Sequence, residues 1–360
     1  MRLALLTYST KPRGGVVHTL ALAEALASLG VDVTVWTLGR SGDRGFFRAV
    51  EESVTVRVVP FEALAGESVG ARILRSIATL RDAFDPSSYD VVHAQDCISA
   101  NAVGASTRYV RTVHHLDQFT TPELAACHER AIVEPAAHVC VSAAVAAEVR
   151  AGWGRSPTVI PNGVDAERFA SADPAGQARW RDRLGRYVLA VGGIEPRKGS
   201  LELLSAFAAL GRSDRRLVIA GGETLFDYRA YREEWESRAT ALGVTPVVLG
   251  PVDHDTLPSL VAAADVFAFP SAKEGFGLAA MEALAAGVPV VTSDLPVLRE
   301  VFGTAVRFAA DVPALSVALA DALDGPNDAA PGRALAARYT WDAAARAHLS
   351  FYRTLGRRAA

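Results

Sequence analysis

The sequence predicts an α/β protein made of two doubly wound domains, and three observations carry that reading. The chain has 360 residues, too many for one ordinary compact domain and suited to two of roughly 150 to 200 each. Half of the residues are hydrophobic and 21% are charged, a globular composition and not a disordered one. Short continuous apolar runs alternate with helix-forming segments in both halves, as parallel strands covered on both faces require.

In the first half, strands are expected at 3–6, 31–36, 54–58, 91–93, 109–113, 139–141 and 158–160. In the second they are expected at 187–191, 217–220, 247–249, 266–269 and 288–291. Helices should follow at 16–29, after Gly14-Gly15, at 200–210, and from Leu278 onward. The polar, helix-capable stretch 165–186 contains Asp173-Pro174 and no strand, so the boundary is expected there. That divides the chain into 1–170, 171–338 and a tail, 339–360. The tail reads as one helix over 334–355, carrying Trp341, Phe351 and Tyr352.

The formal net charge of -3 gives no electrostatic case for a nucleic-acid partner. Cys97, Cys127 and Cys140 form neither a metal-spaced cluster nor an even disulfide set, and read as buried small apolar side chains in a reducing cytoplasm. The apolar start, 1–6, is too short for a signal peptide, and no run reaches the roughly 20 apolar residues of a membrane span. A soluble cytoplasmic protein is expected. Residues 69–84 place Ile73, Leu74, Ile77 and Leu80 beside Arg72, Arg75 and Arg81. Such a helix either faces the core or makes weak peripheral contact with the inner face of a membrane.

Ligands of doubly wound sheets bind at loops outside the carboxyl ends of strands. Four such loops carry unusual residues. Gly14-Gly15 lets backbone approach a ligand and leaves helix N–H groups open, or forms an ordinary tight turn. It is not a dinucleotide fingerprint, since Gly-x-Gly-x-x-Gly is absent. Thr112-Val113-His114-His115-Leu116-Asp117 leaves a strand directly, and a histidine there can bond a sugar hydroxyl, titrate near neutrality, or serve as a satisfied structural group. Gly192-Gly193-Ile194-Glu195-Pro196-Arg197-Lys198-Gly199 ends a strand and sets two cations at a helix entrance, where they suit a breaking pyrophosphate bond. A solvated basic turn is the plainer alternative.

The fourth loop is Pro270-Ser271-Ala272-Lys273-Glu274-Gly275-Phe276-Gly277-Leu278, with Glu282 on the helix beyond it. Eight positions span about 12 Å along a helix. That exceeds the about 5 to 9.5 Å at which two carboxylates flank one glycosidic bond. The pair therefore suits two parts of one elongated ligand. Glu282 stands inside an apolar run, between Met281 and Ala283-Leu284, which disfavours a solvated surface charge.

Glu274-Gly275-Phe276-Gly277-Leu278, followed by Glu282 and Ala286-Gly287-Val288-Pro289-Val290-Val291, resembles the donor-site signature of retaining GT-B glycosyltransferases, and more narrowly of glycosyltransferase family 4. The resemblance runs from Gly14-Gly15 almost to the end of the chain. It implies the GT-B fold, two Rossmann-like domains facing across a cleft, with a C-terminal helix crossing back to the first. It also implies transfer of a sugar, with retention, from a nucleotide-diphosphate co-substrate to an acceptor hydroxyl on a saccharide, lipid or small metabolite. By the resemblance Glu274 contacts the donor sugar near its reacting carbon, Glu282 binds the ribose hydroxyls, and His114 lies close to the reacting sugar. Gly14, Gly15, Gly275, Phe276, Gly277 and Leu278 complete the donor site with Lys198. Asp96 and His115 are candidate acceptor contacts, although many relatives carry Asp at the position of His115.

The family usually has Gly-Arg where this chain has Gly192-Gly193, and Arg197 is the candidate substitute for the missing arginine. No Asp-x-Asp metal motif is visible in the donor loops quoted above, so no cofactor is expected. Alternatives on the same fold are a nucleotide-sugar epimerase, a glycoside phosphorylase, or a sugar-nucleotide binding protein without turnover. The segment 223–235 reads as an aromatic, charged insertion after a strand.

Overall fold

The computed structural model describes residues 1–40, 42–116, 122–222 and 228–357. The chain forms two compact units, Met1–Gly163 with Trp341–Ala360, and Val164–Thr340.

The first unit contains β1 (Arg2–Leu6), α1 (Gly14–Ser28), β2 (Asp32–Arg40), β3 (Val54–Phe61), α2 (Val69–Ala83), β4 (Val91–Ala94), α3 (Cys97–Val103), β5 (Val110–Val113), α4 (Pro122–Val133), β6 (Ala137–Cys140), α5 (Ala143–Trp153) and β7 (Thr158–Val159). The second runs α6 (Ala166–Ala170), α7 (Pro174–Leu184), β8 (Tyr187–Val191), α8 (Ser200–Ala209), β9 (Arg216–Ala220), α9 (Arg229–Ala241), β10 (Val247–Gly250), α10 (Leu257–Ala262), β11 (Val266–Phe269), α11 (Leu278–Ala286), β12 (Val290–Ser293), α12 (Pro296–Phe302), β13 (Arg307–Ala309), α13 (Val312–Asp324) and α14 (Ala330–Ala336). The chain then returns to the first unit as α15 (Trp341–Arg357).

The first sheet has the order β3-β2-β1-β4-β5-β6-β7 and the second β10-β9-β8-β11-β12-β13. Every pairing is parallel; Leu3, for example, registers with Val33 on one side and Val91 on the other. The winding is the same in both sheets, and the order reverses between β1 and β4 in one and between β8 and β11 in the other. Ligands of such sheets bind at that reversal, outside the carboxyl ends of the strands. The strands are apolar on both faces because both faces are covered: Leu3 to Leu6 and Val266 to Phe269 are all buried.

Helix α15 completes the first unit. Its Ala345 and Tyr352 join a core with Leu5, Leu20 and Val33, and the Tyr352 hydroxyl lies 2.7 Å from His93 Nδ1. Side-chain caps mark other helix starts: Ser142 accepts from Val145 N and Asp311 from Ala314 N.

Three expectations need correction. The first unit ends at Gly163, ahead of the 165–186 stretch, because α6 packs into the second unit: Phe169 is buried, and the Arg168 guanidinium donates to the His254 carbonyl. The helix expected over 334–355 is two helices, α14 and α15, separated by 337–340. The Tyr339 carbonyl in that break accepts from Val164 N, which ties the beginning and end of the second unit together. Strand β13 was not expected; three residues, Arg307, Phe308 and Ala309, are too few for a periodic signal.

The apolar stripe of α2, Ile73, Ile77 and Leu80, is buried, and Arg75 is paired with Glu67 at 2.8 Å. Among the described residues no helix is long and apolar enough to cross a membrane.

Candidate active site

In the second unit the sheet reversal brings two loops together. The β8 loop passes through a single 3-10 turn, Pro196–Lys198, and enters α8 at Gly199. Gly199 has φ of 63°, and a Cβ there would run into the Pro270 carbonyl, so only glycine lets the two loops approach. The Ala272 N–H donates to the Arg197 carbonyl at 2.9 Å and fixes their register.

Glu274 follows β11 and sits against both cations. Its Oε1 accepts from Lys198 Nζ at 2.7 Å and from Arg197 Nη1 at 3.2 Å. Arg197 Nη2 also donates to Glu195 Oε1 at 3.2 Å. The Glu274 side chain is only 10% exposed and that of Lys198 19%. Two cations and two carboxylates thus form one partly desolvated network, with Lys198 Nζ 5.0 Å from the centre of the Phe269 ring. The hydroxyl of buried Ser271 has no hydrogen-bond partner among the described residues.

Gly277, at φ 92°, turns the chain into α11, and no side chain caps that helix. The first N–H groups from Leu278 are therefore open to an anion. Phe276 is buried edge-on against Tyr339, with ring centres 5.3 Å apart, so Gly275 and Phe276 can offer a ligand only backbone. Glu282, one turn into α11, is partly buried, and that burial pushes its carboxyl up to about 7; Arg168 opposes the shift and Asp165 adds to it. Near neutrality it is poised between acid and carboxylate. A sequence pattern cannot give that property.

In the first unit, α1 begins at Gly14 with no side-chain cap. A Cβ on Gly15 would stand 3.5 Å from His114 Cδ2, so the glycine loop and the histidine after β5 are neighbours. Burial, and then the Arg111 guanidinium, hold His114 well below the ordinary histidine range, so it is a neutral imidazole at pH 7. Its Nε2 is enclosed and has no partner among the described residues. His18 packs against it at 4.8 Å between ring centres and is itself held by Asn162 at 2.8 Å. His115 is also partly buried. Asp96, a candidate acceptor contact, spends both oxygens on backbone: Oδ2 accepts from Tyr8 N at 3.0 Å and Oδ1 from Ser99 N at 2.8 Å, capping α3. Asp117, and residues 223–227 of the 223–235 segment, lie outside the described residues.

Sequence reasoning singled out Arg197, Lys198 and Glu274 but not their bonding to one another. It missed Glu195 as a counter-charge, although Glu195 stood within the motif. It also missed His18 and His348, which lie on helix faces and sit with His114 only after folding.

Two family models match the chain: Glycosyltransferase Family 4 over residues 12–168 and Glycosyl transferases group 1 over residues 181–331. The D-inositol 3-phosphate glycosyltransferase of Geodermatophilus obscurus is 32% identical, covering 96% of this chain and 85% of that protein. The chain belongs to glycosyltransferase family 4. The same activity is named for a relative from Kineococcus radiotolerans, 31% identical over 98% of this chain and 95% of that one. Among solved structures, the sucrose-phosphate synthase of Thermosynechococcus elongatus superposes with a TM-score of 0.81 at 21% identity, covering 98% of both chains. Anabaena HepE in complex with UDP-glucose gives 0.74 at 20% identity, covering 97% of this chain and 99% of that one. These likenesses establish the GT-B fold. In this family 4 glycosyltransferase the matched models divide at nearly the same place as the two units.

Proposed function

We propose that this glycosyltransferase takes a sugar from a nucleotide diphosphate and transfers it, with retention, to an acceptor hydroxyl, using no metal ion. The observation that carries the reading is the Lys198–Arg197–Glu274 network at the sheet reversal of the second unit, beside the uncapped start of α11. Two fixed cations and helix N–H groups are the equipment a leaving diphosphate needs as negative charge develops on it. That supports a metal-independent reading. The HepE complex with UDP-glucose, on the same fold, supports the donor class.

In the free protein Glu274 neutralises the cations. An arriving diphosphate competes for Lys198 and Arg197, and Glu274 is released to accept hydrogen bonds from donor-sugar hydroxyls. Glu282 accepts from the ribose hydroxyls. Neutral His114, beside the glycine loop of the first unit, offers Nε2 to a sugar hydroxyl. Departure and attack occur on the same face of the sugar, and the leaving phosphate takes the acceptor proton.

The test is turnover with a panel of nucleotide sugars, with product configuration read by NMR and chelator present throughout. A retained anomeric configuration at an undiminished rate is expected. Inversion, or loss of the reaction on chelation that added metal restores, rejects the reading.

A further inference from the structure

Nε2 of His114 has no hydrogen-bond partner among the described residues, and the packing around the ring decides where that atom points. Helix α1 supplies two of the contacts from one face, because positions three apart on a helix are neighbours. Gly15 brings no side chain to the ring; a Cβ there would stand 3.5 Å from Cδ2 and 3.6 Å from Nε2. His18, one turn further on, sets its ring edgewise against that of His114, with 4.8 Å between centres and 77° between planes.

His18 is itself held on several sides. It is fully buried, and its Nδ1 lies 2.8 Å from Oδ1 of Asn162, a buried residue in the loop beyond β7. With Oδ1 accepting, Nδ1 carries the ring proton, and the ring cannot turn over without breaking that bond. Behind it stand two rings of α15, Trp341 at 5.6 Å and His348 at 6.1 Å between centres. His348 is tied to its own helix, since its Nδ1 donates to the Ala344 carbonyl at 2.8 Å. A second line runs from the same helix. The Tyr352 hydroxyl lies 2.7 Å from His93 Nδ1, and His93 Nε2 lies 2.7 Å from the hydroxyl of Thr112, two positions before His114 on the chain. Close-packed interiors pass a displacement on and do not absorb it.

We infer that His18 is a positioning residue for His114, and that α15, acting through His18, sets the aim of His114 during transfer. The inference rests on the reading that His114 serves the sugar. His18 touches no substrate; it works as a wedge between the last helix and the ring that does.

Two measurements on the full chain test this. The first needs no substrate. The Cε1–H resonance of His114, assigned by its loss in His114→Ala, should be a single line in the unaltered chain. It should broaden or split in His18→Leu and in Trp341→Leu, and return to one line in His18→Phe, which restores a ring. The second is turnover, read as nucleoside diphosphate released from UDP-glucose, GDP-mannose or UDP-N-acetylglucosamine, with glucose, inositol and their monophosphates offered as acceptors. His18→Leu should lower kcat about tenfold and Trp341→Leu about threefold, as a misaimed group does, with KM for the donor unchanged. In a His114→Ala chain the same His18→Leu change should cost nothing further, since no ring is left to aim. Melting temperatures identify a variant that fails to fold, and the other leucine variant then decides. A sharp single line in both leucine variants, or an equal loss of kcat with and without His114, overturns the inference alone. Normal turnover of His114→Ala removes the sugar reading of His114 and the inference with it. If none of these donors turns over, the line shapes decide.

Discussion

At its sheet reversal the second unit sets Lys198 and Arg197 against Glu274 and Glu195; at the same place in the same winding the first unit sets Arg13 and Arg40 around Tyr8, without a carboxylate on either among the described residues. Histidine divides the units as well. Seven of the eight lie in the first unit and only His254 in the second. The winding fixes where ligands meet the sheet, and the residues chosen there decide what is met. One edge is internally neutralised and must exchange partners to act; the other holds charge in reserve.

The largest effect should come from removing the exchange partner. Glu274→Ala is expected to lower kcat by at least 1,000-fold, about 4 kcal/mol of transition-state stabilisation. Its affinity for nucleoside diphosphate should change less than threefold, since Lys198 and Arg197 remain. Steady-state kinetics beside calorimetry make the comparison, and near-normal turnover would remove Glu274 from the chemistry.

Acid should separate the two units. Burial holds His18, His93 and His114 well below the ordinary histidine value, and holds His138 and His348 near 4. These groups stay neutral in the folded state while the unfolded chain takes protons, so stability of the first unit is lost as pH falls from about 6.5 towards 4. For His348 the loss approaches roughly 3 kcal/mol. Glu282 has the opposite sign: with a folded pKa near 7 against 4.5, its contribution is full below 4.5 and is lost as pH rises through 7. Urea unfolding at about pH 7 and pH 5, read by pulsed hydrogen exchange, should show the first unit opening earlier at pH 5. Earlier opening of the second unit would break the contrast.

Tyr352→Phe removes the hydroxyl that His93 Nδ1 uses. A buried partner left unsatisfied costs about 1 to 3 kcal/mol. Denaturant titration should register that loss with nucleotide affinity intact; an unchanged midpoint would count against the bond.

The smallest effect is expected at Glu282. Glu282→Gln should weaken nucleotide binding about tenfold, about 1.4 kcal/mol, yet leave the protein at least as stable at about pH 8, where the native carboxylate is ionised in a desolvated place. A lower melting temperature there would show that the carboxylate supports the fold.

Much of this was legible in the letters. The apolar runs ending at Leu6, Val191 and Phe269 gave strands because two-sided burial leaves an unbroken signal. Glu274 and Lys198 stood out because charge is rare beside glycine at such ends. Arg40 did not, since it closes a nine-residue strand in a context that reads as ordinary, and its company comes from Tyr8, Phe61 and Ser76 on three other elements. The histidine cluster was hidden for the same reason: His93 and His348 are 255 positions apart, and their rings lie 5.9 Å from each other.

That long return has a consequence for how the protein is made. Residues 164–340 are contiguous and can close on themselves as soon as they leave the ribosome, whereas the module begun earlier must wait for the last helix to cover His18 and His93. The part synthesised first is therefore the part finished last, with the face that α15 covers left open during that interval.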